Sequence, residues 1–268
     1  MRLLNRAVEL VTAMACVVAA VVVTSPAADA AVTYWYMPSH PMNRSPKSLP
    51  NSDCTGGWGV RSNLNNVPYF LTAGHCFTAG QDVYGTHGRF GITANSHHAS
   101  GGVDTAIVAP LSGVDGLQEI PGLGRAVGKM SNGWSTTGGN GIAMQSPRTG
   151  RVYGTIAGGW RAWFNGRRVA CGTYPSQDGD SGAPMFVHNA GGVFAAGVHV
   201  GLLTENGVTM ACFVTIDDLL ADWNAWLPVF SSAVARTGAA SADVRLQADL
   251  SGPAETLPIR YVGEPIPE

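Results

Sequence analysis

The chain is short of charge. Asp, Glu, Lys and Arg make up only 13% of its 268 residues, and the formal net charge is −2. Its few Lys and Arg are scattered, so no basic surface is encoded for a nucleic-acid backbone, and nucleic acid is not expected as a partner. Long apolar runs are also missing. The longest, LVTAMACVVAAVVV at 10–23, holds 14 residues, short of the roughly 20 that a bilayer span requires, so no stable membrane anchor is expected. None of the five cysteines stands in a C-x-x-C pair. That lack, in a chain read below as exported, argues against a metal.

Glycine and proline, by contrast, are plentiful. The 35 glycines and 16 prolines, with short apolar runs between them, suit many short strands joined by turns better than a helical bundle. With 45% hydrophobic residues over this length, a large core can be buried. An all-β fold is the expectation.

The first 30 residues read as an export signal. Arg2 and Arg6 precede the apolar run, and Ala28-Asp29-Ala30 offers small residues for a cut after Ala30. Cys16 would leave with that segment, so the mature chain would keep Cys54, Cys76, Cys171 and Cys212. An even count in a secreted, extracellular protein points to two disulfides. Residues 31–53 are rich in Pro and Ser and lack periodicity, as in a poorly ordered arm or a short pro-segment. Residues 229–268 carry neither cysteine nor periodic pattern and read as a flexible tail.

Between them lie the folded elements. The runs on either side of SNLNN, within 56–74, form a plausible hairpin. VDTAIVAPL at 103–111, GRVYGTIAGGW at 150–160, GAPMFVH at 182–188 and GVFAAGVHVGLL at 192–203 continue the strand pattern. VTIDDLLADWNAWL at 214–227 shifts to helical spacing, with Asp217 and Asp218 near its start, where negative charge suits the helix dipole.

Chemistry concentrates in three places. In QDGDSGAPMF at 177–186, Ser181 sits in a glycine-rich turn that runs straight into an apolar strand. A tight turn alone accounts for such residues. A nucleophile accounts for them too, provided that a histidine base and a buried carboxylate exist elsewhere. LTAGHC at 71–76 ends an apolar run with His75, and GGVDTAIVAP places Asp104 at the head of another. A carboxylate entering a buried strand is costly unless hydrogen-bonded, and accepting the ring N–H of a histidine offsets that cost. Alone, His75 is a loop histidine and Asp104 a strand-start cap. The three contexts together, in the order His, Asp, Ser, indicate a triad.

T-A-G-H-C at 72–76, D-T-A-I-V at 104–108 and G-D-S-G-A-P at 179–184, followed by a terminal helix, resemble the trypsin/chymotrypsin-like serine proteases of the compact secreted bacterial kind. The resemblance covers 54–228. It implies two packed antiparallel six-stranded β-barrels with a C-terminal α-helix, and a peptide or protein as substrate. It implies no cofactor and a monomer. It implies His75 as base, Asp104 as its orienting carboxylate and Ser181 as nucleophile, with the backbone N–H groups of Gly179 and Ser181 as oxyanion hole. Cys54 matches the disulfide beside the histidine, paired with Cys76, which leaves Cys171 with Cys212. Asp180 is expected in a salt bridge, with Arg148 or Arg151 as partner.

The chain also departs from that pattern. Ala183 replaces a usual glycine, a change that a negative φ tolerates. Val200 stands where a serine usually supports the triad aspartate, so Asp104 is expected to have one support fewer. Asp178, His199, Val200 and Gly201 are the expected substrate-binding residues. His199 falls where secreted glutamyl endopeptidases contact an acidic side chain, which points to Glu or Asp before the scissile bond. Asp178 and Leu202 speak against that, with small or medium apolar side chains next in line. Adjacent His97 and His98 read as solvated loop residues. Two functions compete: a secreted endopeptidase, and a catalytically silent binding or adhesive protein on the same fold.

Overall fold

The computed structural model describes residues 34–47, 51–98, 102–116, 118–163 and 166–230. The expected export signal and most of the expected tail lie outside them. Two sheets carry the fold. Into the first go Gly59–Ser62 (β2), Pro68–Ala73 (β3), Asp82–Gly85 (β4), Gly88–Ser96 (β5) and Thr105–Pro110 (β6), following a short strand Tyr34–Tyr36 (β1) that stands apart. Val114–Gly116 (β7) pairs in parallel with β1.

The second sheet contains Gly141–Ser146 (β8), Gly150–Thr155 (β9), Arg161–Ala162 (β10), Arg168–Gly172 (β11), Pro184–Asn189 (β12), Gly192–Glu205 (β13) and Val208–Thr215 (β14). Its order is β9-β8-β12-β13-β14-β11-β10, with Gly124–Lys129 added in parallel to β13. The chain then forms helix α1, Ile216–Asp222, and returns through Ala225–Trp226 (β15) to the edge of the first sheet, whose order is β15-β2-β3-β6-β5-β4. The all-β expectation and the two antiparallel sheets agree. The hairpin across SNLNN is there too, with Gly59 opposite Phe70.

Both expected disulfides form. Cys54 pairs with Cys76, and Cys171 pairs with Cys212, its register neighbour across β11 and β14. Helix α1 is capped by Thr215, whose hydroxyl accepts from the Asp218 N–H. It stops at Asp222 instead of running to 227. Asn224 adopts φ +45°, a left-handed conformation that ends a helix and that asparagine tolerates better than most residues. Among the described residues, no helix is long and apolar enough to cross a membrane.

Residues 34–43 correct the arm reading. Tyr36 and Met42 are fully buried. The Tyr36 ring stacks on Phe70 with centroids 3.8 Å apart, and its hydroxyl donates to the Gly57 carbonyl. The segment lacks periodicity because it contributes isolated anchors rather than a regular face. It packs all the same, since an aromatic of this size stabilises the fold by the area it takes from water. Further along, Arg44 donates to the carbonyls of Cys76 and His75, so the segment also supports the turn that carries the histidine.

The core is continuous between the sheets. Trp58, fully buried, donates its indole N–H to the carbonyl of Gly197 on β13 at 3.0 Å. This bond ties the strand pair β2–β3 to the second sheet and fixes the register in which the two halves meet.

Candidate active site

His75 lies in a single 3₁₀ turn, Gly74–Cys76, at the end of β3. The neighbouring strand β6 begins immediately after Asp104, with Ala73 opposite Thr105. Antiparallel pairing therefore puts the two side chains at the same edge. Asp104 Oδ1 accepts the His75 main-chain N–H at 3.0 Å, and Oδ2 lies 3.0 Å from the ring Nδ1. One carboxylate thus fixes both the backbone and the ring of the histidine.

Two further donors reach Asp104. His98 Nδ1 lies 3.1 Å from Oδ1, and Trp163 donates its indole N–H to Oδ2 at 3.1 Å. Asp104 is almost wholly buried. Burial by itself would raise its pKa, but the hydrogen bond and charge of His75, with the donors Trp163 and His98, outweigh it and hold the carboxyl below its ordinary value. His75, His98 and Asp104 each place a ligand-type atom within 4.8 Å of the others. Those groups are already engaged with one another, so the cluster is explained as a hydrogen-bonded set around the carboxylate.

Ser181 comes to this edge through its main chain. Its carbonyl accepts the Thr55 N–H at 2.7 Å and lies 3.8 Å from Sγ of Cys76, the residue after His75. Gly182 makes the approach possible. It has φ +95°, and a Cβ there would stand 2.0 Å from the Thr55 carbonyl oxygen and 2.3 Å from Thr72 Oγ1. Only glycine meets both conditions. Ala183 has no positive φ and is fully buried, so the change from glycine is accommodated.

The turn leaves two donors open. The N–H groups of Asp180, Gly182 and Ala183 donate to the carbonyls of Gln177, His199 and Asp180. Among the described residues, no acceptor faces the N–H of Gly179 or of Ser181. Gly179, at φ +94°, lets the chain reverse between them. Both N–H groups belong to the turn that carries Ser181.

Asp180 corrects the salt-bridge expectation. Its carboxylate accepts the hydroxyls of Ser146 and Thr149 and the Gln177 N–H. Arg148 turns instead to the Asp178 carbonyl and Asn51, and Arg151 to Gln145 and the Pro121 carbonyl. Without a guanidinium, burial dominates and raises the Asp180 pKa despite those hydrogen bonds. The residue anchors the turn from behind.

The expected substrate residues divide. Gly201 lies on β13 beside the Trp163 ring, and Asp178 is exposed. Val200 is buried in the core. His199 is buried as well, with both ring nitrogens occupied: Tyr174 Oη lies 3.0 Å from Nδ1 and Ser176 Oγ lies 2.7 Å from Nε2. Burial, with the charge of His75, lowers its pKa to about 3, so the ring is neutral. His97 and His98, read as solvated, are both engaged. His97 bonds to Asp222 and stacks on Trp223 at 3.8 Å, and that clamp carries the His98 loop onto α1. Nothing in the local sequence signalled this, because both partners come from more than a hundred residues away.

No protein-family model matches the sequence, and no curated protein matches it. Solved structures do. Protease A of Thermobifida fusca is 22% identical, with a TM-score of 0.55 over 73% of this chain and 100% of its own. Nocardiopsis protease is 21% identical, with a TM-score of 0.57 over 72% and 98%. A glutamic acid specific serine protease, described as using a histidine triad in substrate binding, is 19% identical, with a TM-score of 0.55 over 72% and 100%.

The chain has the chymotrypsin-like protease fold. The double-sheet architecture expected from the three motifs is thereby shown. The Ser181 turn meets the first half of the chain beside the His75 turn, through Thr55 and Cys76. His199 here is bonded to a tyrosine and a serine. Among the described residues, no second histidine hydrogen-bonds to it.

The neutral His199 has a measurable consequence. A histidine whose folded pKa is lowered takes up its proton first in the unfolded state. The stability that rests on its neutrality is complete above pH 6.5 and drains away as pH falls toward about 3. His40, lowered to about 4 by burial, acts in the same direction. Denaturant unfolding of wild type between pH 6.5 and 4 should therefore lose stability more steeply than a His199→Gln variant. The slopes should differ by about 1.4 kcal/mol per pH unit, one proton's worth. Equal slopes would mean that His199 titrates normally.

Proposed function

We propose that the protein is a secreted serine endopeptidase working through His75, Asp104 and Ser181. The observation that carries this reading is the pairing of an Asp104-held imidazole with a serine turn that keeps two N–H groups unengaged. In the proposed mechanism, His75 takes the proton from Ser181 Oγ as that oxygen attacks a peptide carbonyl carbon. The carbonyl π electrons move onto oxygen, and the N–H groups of Gly179 and Ser181 stabilise the resulting anion. As the tetrahedral species collapses, the C–N bond breaks and His75 returns the proton to the leaving amine. Water, deprotonated by the same imidazole, then attacks the acyl carbon; the bond from that carbon to Ser181 Oγ breaks, and His75 returns the proton to Oγ. Asp104 stays ionised, keeps the ring in one tautomer and stabilises the imidazolium. The two disulfides fit an oxidising compartment outside the cell.

On the same reading, the substrate chain lies along β13 near Gly201, with its leading side chain toward Ser176 and His199. A neutral, enclosed His199 supplies no positive charge to a buried carboxylate, whose desolvation is expensive. The preference before the scissile bond is therefore for an uncharged side chain rather than Glu or Asp. Cleavage of a peptide library should show this. Dominant cleavage after Glu or Asp, lost in His199→Ala, would restore the acidic reading.

The reaction itself is tested with a fluorophosphonate probe. The probe should attach to Ser181 in the native protein and not in Ser181→Ala, and Asp104→Asn should lower kcat by about 10,000-fold, the scale that a misplaced imidazole tautomer costs. Absence of labelling in the native, disulfide-bonded protein would favour a catalytically silent binding protein on this fold.

A further inference from the structure

Asp104 has a neighbour that the motifs do not announce. Where the resemblance leads one to expect a serine, Val200 has no hydroxyl and is buried in the core. The carboxylate is nevertheless supported from the second sheet. Trp163 donates its indole N–H to Oδ2 at 3.1 Å, the same oxygen that lies 3.0 Å from His75 Nδ1. A carboxylate oxygen can accept from both.

Trp163 is held for this task from two sides. Its main-chain N–H donates to the Arg167 carbonyl at 2.6 Å, and its own carbonyl accepts the Gly166 N–H at 2.9 Å, which fixes it in the turn between β10 and β11. The far end of its ring lies beside Gly201, where a Cβ would stand 3.5 Å from Cη2. One side chain therefore spans the gap between β13 and the buried carboxylate.

We propose that Trp163 is a positioning residue for the triad, orienting Asp104 through its indole N–H in the place that a serine hydroxyl would otherwise fill. This rests on the reading that the triad is catalytic. The indole N–H fixes the rotation of the carboxylate about its Cβ–Cγ bond, and that rotation sets the line along which Oδ2 meets His75 Nδ1. The indole N–H acts on the reaction only through Asp104, so its loss falls on the rate of the chemical step and not on substrate affinity.

An isostere separates the N–H from the ring. Replacement of Trp163 by 3-benzothienylalanine, which has sulfur in place of the N–H, keeps the packing against Gly201. The expected result is a fall in kcat of about 10-fold, the scale of one hydrogen bond to a charged group, with KM unchanged and a modest loss of thermal stability from the missing donor. Trp163→Phe should give a comparable loss in kcat, with some change in KM from the smaller ring. Unchanged kcat in the isostere, or a loss confined to KM, would overturn the proposal. Fluorophosphonate labelling of the unsubstituted protein keeps the two readings apart. Where Ser181 labels normally and the isostere labels as fast, Trp163 has no positioning role and the protease reading stands. Where the unsubstituted protein does not label, the protease reading falls and this inference falls with it.

Discussion

One buried carboxylate organises this molecule's chemistry. Asp104 enters the start of β6 with almost no solvent, a position that costs several kcal/mol for a bare charge. The chain compensates with donors from three separate segments: the main chain and ring of His75, the ring of His98, and the indole of Trp163. Each of those bonds also constrains the donor. The turn at 74–76, the loop at 97–98 and the turn before β11 each gain one fixed contact at Asp104, besides the bonds that hold them elsewhere. The desolvation of one group is thus converted into the placement of the rest, which is the physical content of a preorganised site.

Ser181 is brought to that edge by a different constraint, close backbone approach. Gly182 sits against the Thr55 carbonyl and Thr72 hydroxyl at distances no side chain would permit. The Gly182 N–H and the His199 carbonyl then stitch the turn onto β13. Behind it, the Asp180 carboxylate gathers Ser146, Thr149 and Gln177. Among the described residues, the N–H groups of Gly179 and Ser181 take no part in these bonds. The Cys54–Cys76 disulfide lies between the two halves of the arrangement, since Thr55 binds the serine turn while Cys76 follows the histidine.

The sequence displayed much of this, and the reasons for what it hid are physical. His75, Asp104 and Ser181 were legible as candidates because each lies near the junction of an apolar strand and a turn, where side-chain type and local pattern act together, while Gly179 followed from the resemblance. The strands were legible as short apolar runs between turn residues, and both disulfides followed from the resemblance around Cys54 and Cys76. Contacts made across the fold were not legible. Trp163 and His98 reach Asp104 from elements whose own patterns say nothing of it, and the hydroxyl cage of Asp180 looks in sequence like ordinary turn residues. Tyr36 and Met42 were hidden in a Pro- and Ser-rich stretch because single anchors produce no periodicity. Helix α1 ran long in the sequence reading because the apolar spacing continues past Asp222, while Asn224 reverses the backbone.

In the proposed mechanism, His75, Asp104 and Ser181 act on one reacting carbonyl, with Gly179 and Ser181 as its oxyanion donors. A crystal structure of the protein soaked with a peptide boronic acid tests it most directly, because boron adopts the tetrahedral geometry of the intermediate. The expected complex has a bond from boron to Ser181 Oγ, one boronate oxygen within hydrogen-bond distance of both N–H groups, and the His75–Asp104 contact intact. Boron bound elsewhere, or bound to Ser181 with its oxygens turned away from Gly179 and Ser181, would contradict it.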